Sequence, residues 1–104
     1  MTDKLLSIIG LARRAGKISL GCDPALLAIA KHKTKLIVTA QDISKNTLSR
    51  ITAAAGEKNV SMLALGYTKE QISSALGKLT AVFSVNDEGF AKQIQKLASD
   101  DRQL

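Results

Sequence analysis

A chain of 104 residues, 45% of them hydrophobic, with 15 Lys plus Arg against 9 Asp plus Glu, has the length and apolar content of one small domain that closes its core without staples. A lone Cys22 excludes an intramolecular disulfide, and with His32 the single histidine there are too few soft ligands for a zinc or iron–sulfur site, so neither metal nor other cofactor is expected. The longest strongly apolar stretch, residues 5–12, is far short of the roughly 20 residues that cross a bilayer, and Arg13 and Arg14 stand where a leader would be cleaved, which points to a cytoplasmic protein.

Leu5, Ile8, Ile9 and Ala12 recur at helical spacing, which predicts an amphipathic helix over residues 3–15 with Gly16 at its C-terminal cap. Residues 17–20 follow as a short strand. Asp23 then reads as an N-cap and Pro24 as the first residue of a second helix running to about His32. Leu36, Ile37 and Val38 form an uninterrupted apolar run, the pattern of a strand covered on both faces. Ser44 caps a third helix ending at Gly56, residues 60–65 form the third strand, and residues 69–76 a short helix closed by Gly77. Residues 81–85 are the fourth strand; Asn86 or Asp87 caps a last helix with Phe90, Ile94 and Leu97 on one stripe, and a frayed tail is expected from Ser99. Alternation of this kind predicts one α/β domain, a three-layer α/β/α sandwich with a four-stranded mixed sheet and helices on both faces.

The net charge of +6 is unevenly spread: residues 1–52 hold nine cations against three carboxylates, residues 53–104 six against six. A clustered positive field attracts a polyanion, because neutralising phosphates releases condensed counterions.

Catalytic patterns fail on inspection. Gly77-Lys78 lacks the Gly that a P-loop needs at position 72, where Ile72 stands, and the hydroxyl at 79, where Leu79 stands. Gly16-Lys17 fails in the same way at Leu11 and Ile18, and no spacing gives G-x-G-x-x-G. His32 sits between Lys31 and Lys33 at a helix end, a setting for a solvated residue rather than a general base. Cys22 has no second thiol or nearby His to activate it. Asp42 follows a strand as a phospho-acceptor would, but Leu20-Gly21-Cys22 replaces the acidic pair such a site requires. With Tyr67, Phe83 and Phe90 the only aromatic rings, and both phenylalanines in core patterns, no base-stacking platform is available either. The chain reads as non-enzymatic.

The run Lys17-Ile18-Ser19-Leu20-Gly21-Cys22-Asp23-Pro24-Ala25-Leu26-Leu27-Ala28-Ile29-Ala30-Lys31, followed by Lys35-Leu36-Ile37-Val38, resembles the kink-turn-binding ribosomal protein superfamily, and more closely its bacterial YlxQ-type branch. Gly10-Leu11-Ala12-Arg13-Arg14-Ala15-Gly16-Lys17, Ala40-Gln41-Asp42-Ile43-Ser44-Lys45-Asn46-Thr47 and Val85-Asn86-Asp87-Glu88-Gly89-Phe90-Ala91 support it, so the likeness covers residues 4–98. It implies an α/β/α fold that binds structured RNA through the turn from first strand to second helix and the loop before the fourth strand. In the RNA-binding relatives that turn reads Gly-x-Asn-Glu with a Lys three residues later. Here Gly21 is kept, while Asp23, Pro24 and Leu27 occupy the Asn, Glu and Lys positions, and Lys31 carries a cation one turn further on. An ionised Asp only accepts hydrogen bonds, Pro24 offers no side-chain polar group, and Leu27 removes a charge, so the base-reading set is depleted. Helix formation alone also explains Asp23 as cap, Pro24 as first residue and Leu27 as part of the apolar face.

The residues assigned to RNA are Arg13, Arg14, Lys17, Gly21, Asp23, Lys31, Lys33, Lys45 and Lys78, brought together if the loops converge on one side of the sandwich. The expected partner is structured RNA, ribosomal RNA first, with ribosomal or translation proteins beside it. A protein-interaction module that has kept the fold and lost kink-turn recognition is the alternative.

Overall fold

The computed structural model describes residues 3–102, with side chains over residues 3–99. The elements in chain order are α1 (Lys4–Arg14), β1 (Ile18–Leu20), α2 (Cys22–Ala30), β2 (Leu36–Thr39), α3 (Lys45–Glu57), β3 (Met62–Ala64), α4 (Lys69–Leu76), β4 (Val82–Val85) and α5 (Glu88–Arg102). Short polar side chains start most of the helices by accepting first-turn N–H groups. Asp3 Oδ1 accepts from Leu6 N at 3.1 Å, Ser44 Oγ from Thr47 N at 3.2 Å, Thr68 Oγ1 from Gln71 N at 3.2 Å and Asp87 Oδ2 from Phe90 N at 2.9 Å. The other Asp3 oxygen accepts from the Tyr67 hydroxyl, which ties the start of α1 to the β3–α4 loop. Burial pushes the Asp3 pKa up, but the hydrogen bonds from Tyr67, Leu6 and Leu5 together outweigh it and leave it below the ordinary aspartate value.

Two expectations for α2 are corrected. Its N-cap is Gly21, not Asp23, and Pro24 is the third helical residue rather than the first. Proline is tolerated there because first-turn N–H groups have no intrahelical acceptor. The helix also stops at Ala30, short of His32. In α5 the backbone stays helical past Ser99 to Arg102; the rest of the expected frayed tail, Gln103 and Leu104, lies outside the described residues.

The sheet order is β1-β4-β2-β3, with β4 antiparallel to both β1 and β2, and β3 parallel to β2. Alternate residues of the central strands face opposite layers. Leu36, Val38, Phe83 and Val85 pack under α1, α4 and α5 with Ile9, Ile72 and Ile94; Ile37 and Val82 pack under α2 and α3 with Ile29 and Ile51. All residues of β2 are buried, as the apolar run at 36–38 predicts, and so are all those of β4.

Because β1, β2 and β3 run one way and β4 the other, the sheet has two distinct ends. At the Gly21 end the loops β1–α2, β2–α3, β3–α4 and α4–β4 meet. At the opposite end, here called the Gly16 end, helices α1, α2 and α3 all finish and α5 begins. Each of those three helices closes in the same way, with one residue in the left-handed region and a hydrogen bond reaching back five positions. Gly16 (φ 74°) is followed by Lys17 N donating to Ala12 O at 3.0 Å, His32 (φ 58°) by Lys33 N to Ala28 O at 2.9 Å, and Asn59 (φ 56°) by Val60 N to Ala55 O at 2.9 Å.

Candidate nucleic-acid interface

At the Gly21 end the backbone of Gly21 has φ 93° and ψ 170°, a region in effect closed to residues with a Cβ. A non-local bond holds it there: Gly21 N donates to Val82 O at 2.9 Å, while its carbonyl accepts from Ala25 N at 3.1 Å to open α2. No side chain caps that helix, and because Pro24 has no N–H and Ala25 N is taken by Gly21 O, Cys22 and Asp23 supply the first-turn N–H groups beside the turn.

The neighbouring loops are tied down. Ala40 N donates to Ala81 O at 2.8 Å, joining the end of β2 to the α4–β4 loop, and Gln41 N donates to Tyr67 O at 2.8 Å. Asp42 Oδ1 accepts from Lys69 N at 2.9 Å, and the buried Thr80 hydroxyl donates to Val82 O at 2.8 Å. Held between Gly77 in the left-handed conformation and Thr80, Lys78 and Leu79 point to solvent, Leu79 being 60% exposed. Lys45, also exposed, opens α3. Beneath α2, Asn86 accepts from the Ser84 hydroxyl and donates to Ser19 Oγ, both at 2.9 Å, which pins β1 to β4 behind the turn.

Asp23 is exposed and its carboxylate sits 3.5 Å from Arg50 of α3. Leu27, four residues on and therefore on the same side of α2, is 55% exposed. This corrects its assignment to the apolar face: the buried residues of α2 are Ala25, Ala28 and Ile29.

The nine residues assigned to RNA do not share a surface. Gly21, Asp23, Lys45 and Lys78 gather at the Gly21 end. Lys17, Lys31 and Lys33 lie at the Gly16 end, with α2, nine residues and about 13 Å long, between Gly21 and Lys31. Lys31 is the C-cap of α2, so it does not stand in for the missing cation of the turn. Arg13 and Arg14 do a third thing. Arg13 Nε donates to Leu76 O at 3.4 Å, bracing the last turn of α4, and Arg14 lies along the α1–α4 groove with Gly10 and Ser74. Arg50, Leu79 and the Ser19–Asn86–Ser84 cluster were not singled out from sequence; the one available signal was an apolar Leu79 between a helix-ending glycine and a strand.

Two solved structures share this α/β/α sandwich. A protein of unknown function from Bacillus halodurans aligns with TM-score 0.88 at 24% identity, over 94% of this chain and 99% of that one. The Giardia lamblia 15.5kD RNA binding protein aligns with TM-score 0.76 at 17% identity, over 96% and 89%. Residues 3–95 match the Ribosomal protein L7Ae/L30e/S12e/Gadd45 family, and the chain belongs to it. Among its relatives, RNA-binding protein YlxQ of Enterococcus faecium is 33% identical over 94 residues, 90% of each chain. RNA-binding protein YlxQ of Bacillus subtilis strain 168 is 30% identical over 95 residues, 86% of this chain and 90% of that one. The YlxQ-type likeness read from the sequence is therefore borne out.

Proposed function

We propose that this chain is a non-enzymatic, cytoplasmic RNA-binding protein that holds structured RNA, ribosomal RNA foremost, against its Gly21 end. The observation that carries this reading is the Gly21 turn itself. A residue without a side chain, locked by a backbone bond to β4, lets an RNA backbone approach the open N–H groups of α2. Lys45 and Lys78 supply phosphate contacts from two flanking loops, and Arg50 partly offsets the Asp23 charge that would otherwise repel them. Both YlxQ relatives and the Giardia protein are named as RNA-binding, which supports RNA as the ligand.

Recognition is by phosphate contact and shape. Asp23, Pro24 and Leu27 offer little to guanine edges, so preference for a kink-turn over plain duplex is weak. A specific observation favours the second reading, a protein-interaction module: of the exposed large apolar side chains among the described residues, Leu27, Leu48 and Leu79 lie on α2, near the start of α3 and in the α4–β4 loop.

Titration of a labelled RNA hairpin with wild type and with Lys45→Glu/Lys78→Glu separates the two. The RNA reading expects at least tenfold weaker binding in the variant and a steep loss of affinity with salt in the wild type. Equal affinities, or a wild-type affinity indifferent to salt, refute it. Co-sedimentation with ribosomes before and after nuclease tests the ribosomal target: release by nuclease is expected, and survival marks a protein contact.

A further inference from the structure

We infer that the Gly16 end is a second RNA-binding surface, taking the phosphate backbone of a duplex, so that one copy of the protein holds two RNA segments. The inference rests on the RNA reading above and extends it to a part of the molecule that the turn does not reach.

Five exposed lysines converge there from three connections: Lys17 after α1, Lys31, Lys33 and Lys35 between α2 and β2, and Lys58 after α3. Strand pairing fixes the spacing of two of them. Asn86 N donates to Lys17 O and Lys35 N to Val85 O, both at 2.8 Å, so Lys17 and Lys35 flank the end of β4, two strand spacings or about 10 Å apart. The backward-reaching closures of α1, α2 and α3 hold these turns in defined conformations. Among the described residues none of the five lysines forms an ion pair.

Helix dipoles alone do not account for so many. Each helix C-terminus carries about half a unit of negative charge, which one lysine per helix would more than balance. Lys35 precedes a strand and Lys17 and Lys33 stand beyond their helices. Against the five lysines, the carboxylates placed at this end are three, Glu57, Asp87, which caps α5, and Glu88, which pairs with Lys92 at 3.4 Å, so the end stays net positive.

The same surface argues for nucleic acid over protein. Leu48 and Leu79 lie at the opposite end, and Leu11 and Leu27 lie one turn back on the flanks of α1 and α2, so among the described residues no large exposed apolar side chain stands among the five lysines to centre a protein interface. Without aromatic or apolar groups it can read backbone charge but not bases, and a duplex offers two phosphate rows to a cluster of this width.

The test is a two-RNA capture. A biotinylated hairpin is immobilised and loaded with full-length protein, unbound protein is washed away, and a fluorescent RNA duplex is added. Wild type should retain the duplex. Lys31→Glu/Lys33→Glu/Lys35→Glu should bind the hairpin within about threefold of wild type yet lose duplex capture at least tenfold. Because glutamate opposes the helix dipole, Lys31→Gln/Lys33→Gln/Lys35→Gln is run beside it and should lose capture too, with an unchanged melting curve. Wild type that binds the hairpin but captures no duplex overturns this inference alone, as does capture of an acidic peptide in place of duplex. Equal loss of hairpin binding in the Gly16-end and Gly21-end variants overturns it in favour of one continuous site. Wild type that binds no RNA overturns both readings.

Discussion

Restoring the relatives' turn chemistry as Asp23→Asn, Pro24→Glu and Leu27→Lys isolates what the three changed residues do. The stability cost follows from their surroundings. The Asp23–Arg50 pair is exposed on both sides, so losing it costs at most about 1 kcal/mol, and Asn keeps an acceptor for Arg50. Pro24→Glu returns about 0.4–1 kcal/mol of unfolded-chain entropy, offset in part because a carboxylate near a helix N-terminus is favourable by about 0.3–1 kcal/mol. Leu27 is 55% exposed, so less than half of the roughly 1.5–3 kcal/mol of a fully buried leucine is at stake, and the lysine stem retains some of that contact. The triple variant should thus lose only about 1–2 kcal/mol and melt as a folded domain. In return it gains an amide, a carboxylate and a cation beside Gly21. Base-edge pairs contribute about 1–3 kcal/mol each in DNA complexes, and one such pair is enough for roughly tenfold. Competition binding with a kink-turn RNA and a duplex of equal length is the assay, with a thermal melt as control. The wild type should prefer the kink-turn by less than about tenfold, which is about 1.4 kcal/mol, and the variant by at least ten times more than the wild type. A wild type that already discriminates a hundredfold, or a variant that gains nothing while melting normally, refutes the reasoning.

Gly21→Ala meets no clash, since the nearest atom to the added Cβ is Pro24 Cδ at 3.8 Å, so its cost is conformational. About 1–3 kcal/mol should appear as a lower urea midpoint, and wild-type stability would show that the turn relaxes freely. His32→Gly relieves a left-handed non-glycine and should stabilise by about 0.5–1 kcal/mol after the added chain entropy; a lower midpoint would refute it. Asp3 has a lowered pKa in the fold, so its contribution is complete above the unfolded-chain value and is lost as pH falls through the lower, folded one. Asp3→Asn keeps an N-cap and should flatten that acid limb of the stability curve; parallel curves in urea titrations across acidic pH would contradict it.

Periodic features were legible because each is a local cause with a local effect. Ser44, Gly16 and Gly77 act at the helix ends the sequence assigned to them, and the apolar run at 36–38 lies in a strand buried on both faces. The start of α2 was not, since Gly21-Cys22-Asp23-Pro24 suits two registers and the choice is made by a bond from Gly21 to Val82, far along the chain. Leu27 misled for a related reason. It lies in an unbroken apolar stretch, and only the helical period of Ala25, Ala28 and Ile29 leaves it outside. The basic half of the chain concealed its own division, because α2 carries Gly21 at one end of the sheet and Lys31 at the other, and a count of charges along the sequence has no direction.

The position of β4 bears on how the protein comes into being during synthesis. Although it is the last strand of the sheet to be made, it lies between β1 and β2 and, among the described residues, is the only strand that pairs with β1. Until residues 82–85 have emerged, β1 has no neighbour and the Val82 carbonyl that fixes Gly21 does not yet exist. The cation-rich first half therefore leaves the ribosome as an unfinished surface, attractive to nearby polyanions through charge alone. The Gly21 turn gains its tether only when the fourth strand slots into the gap and closes the sheet.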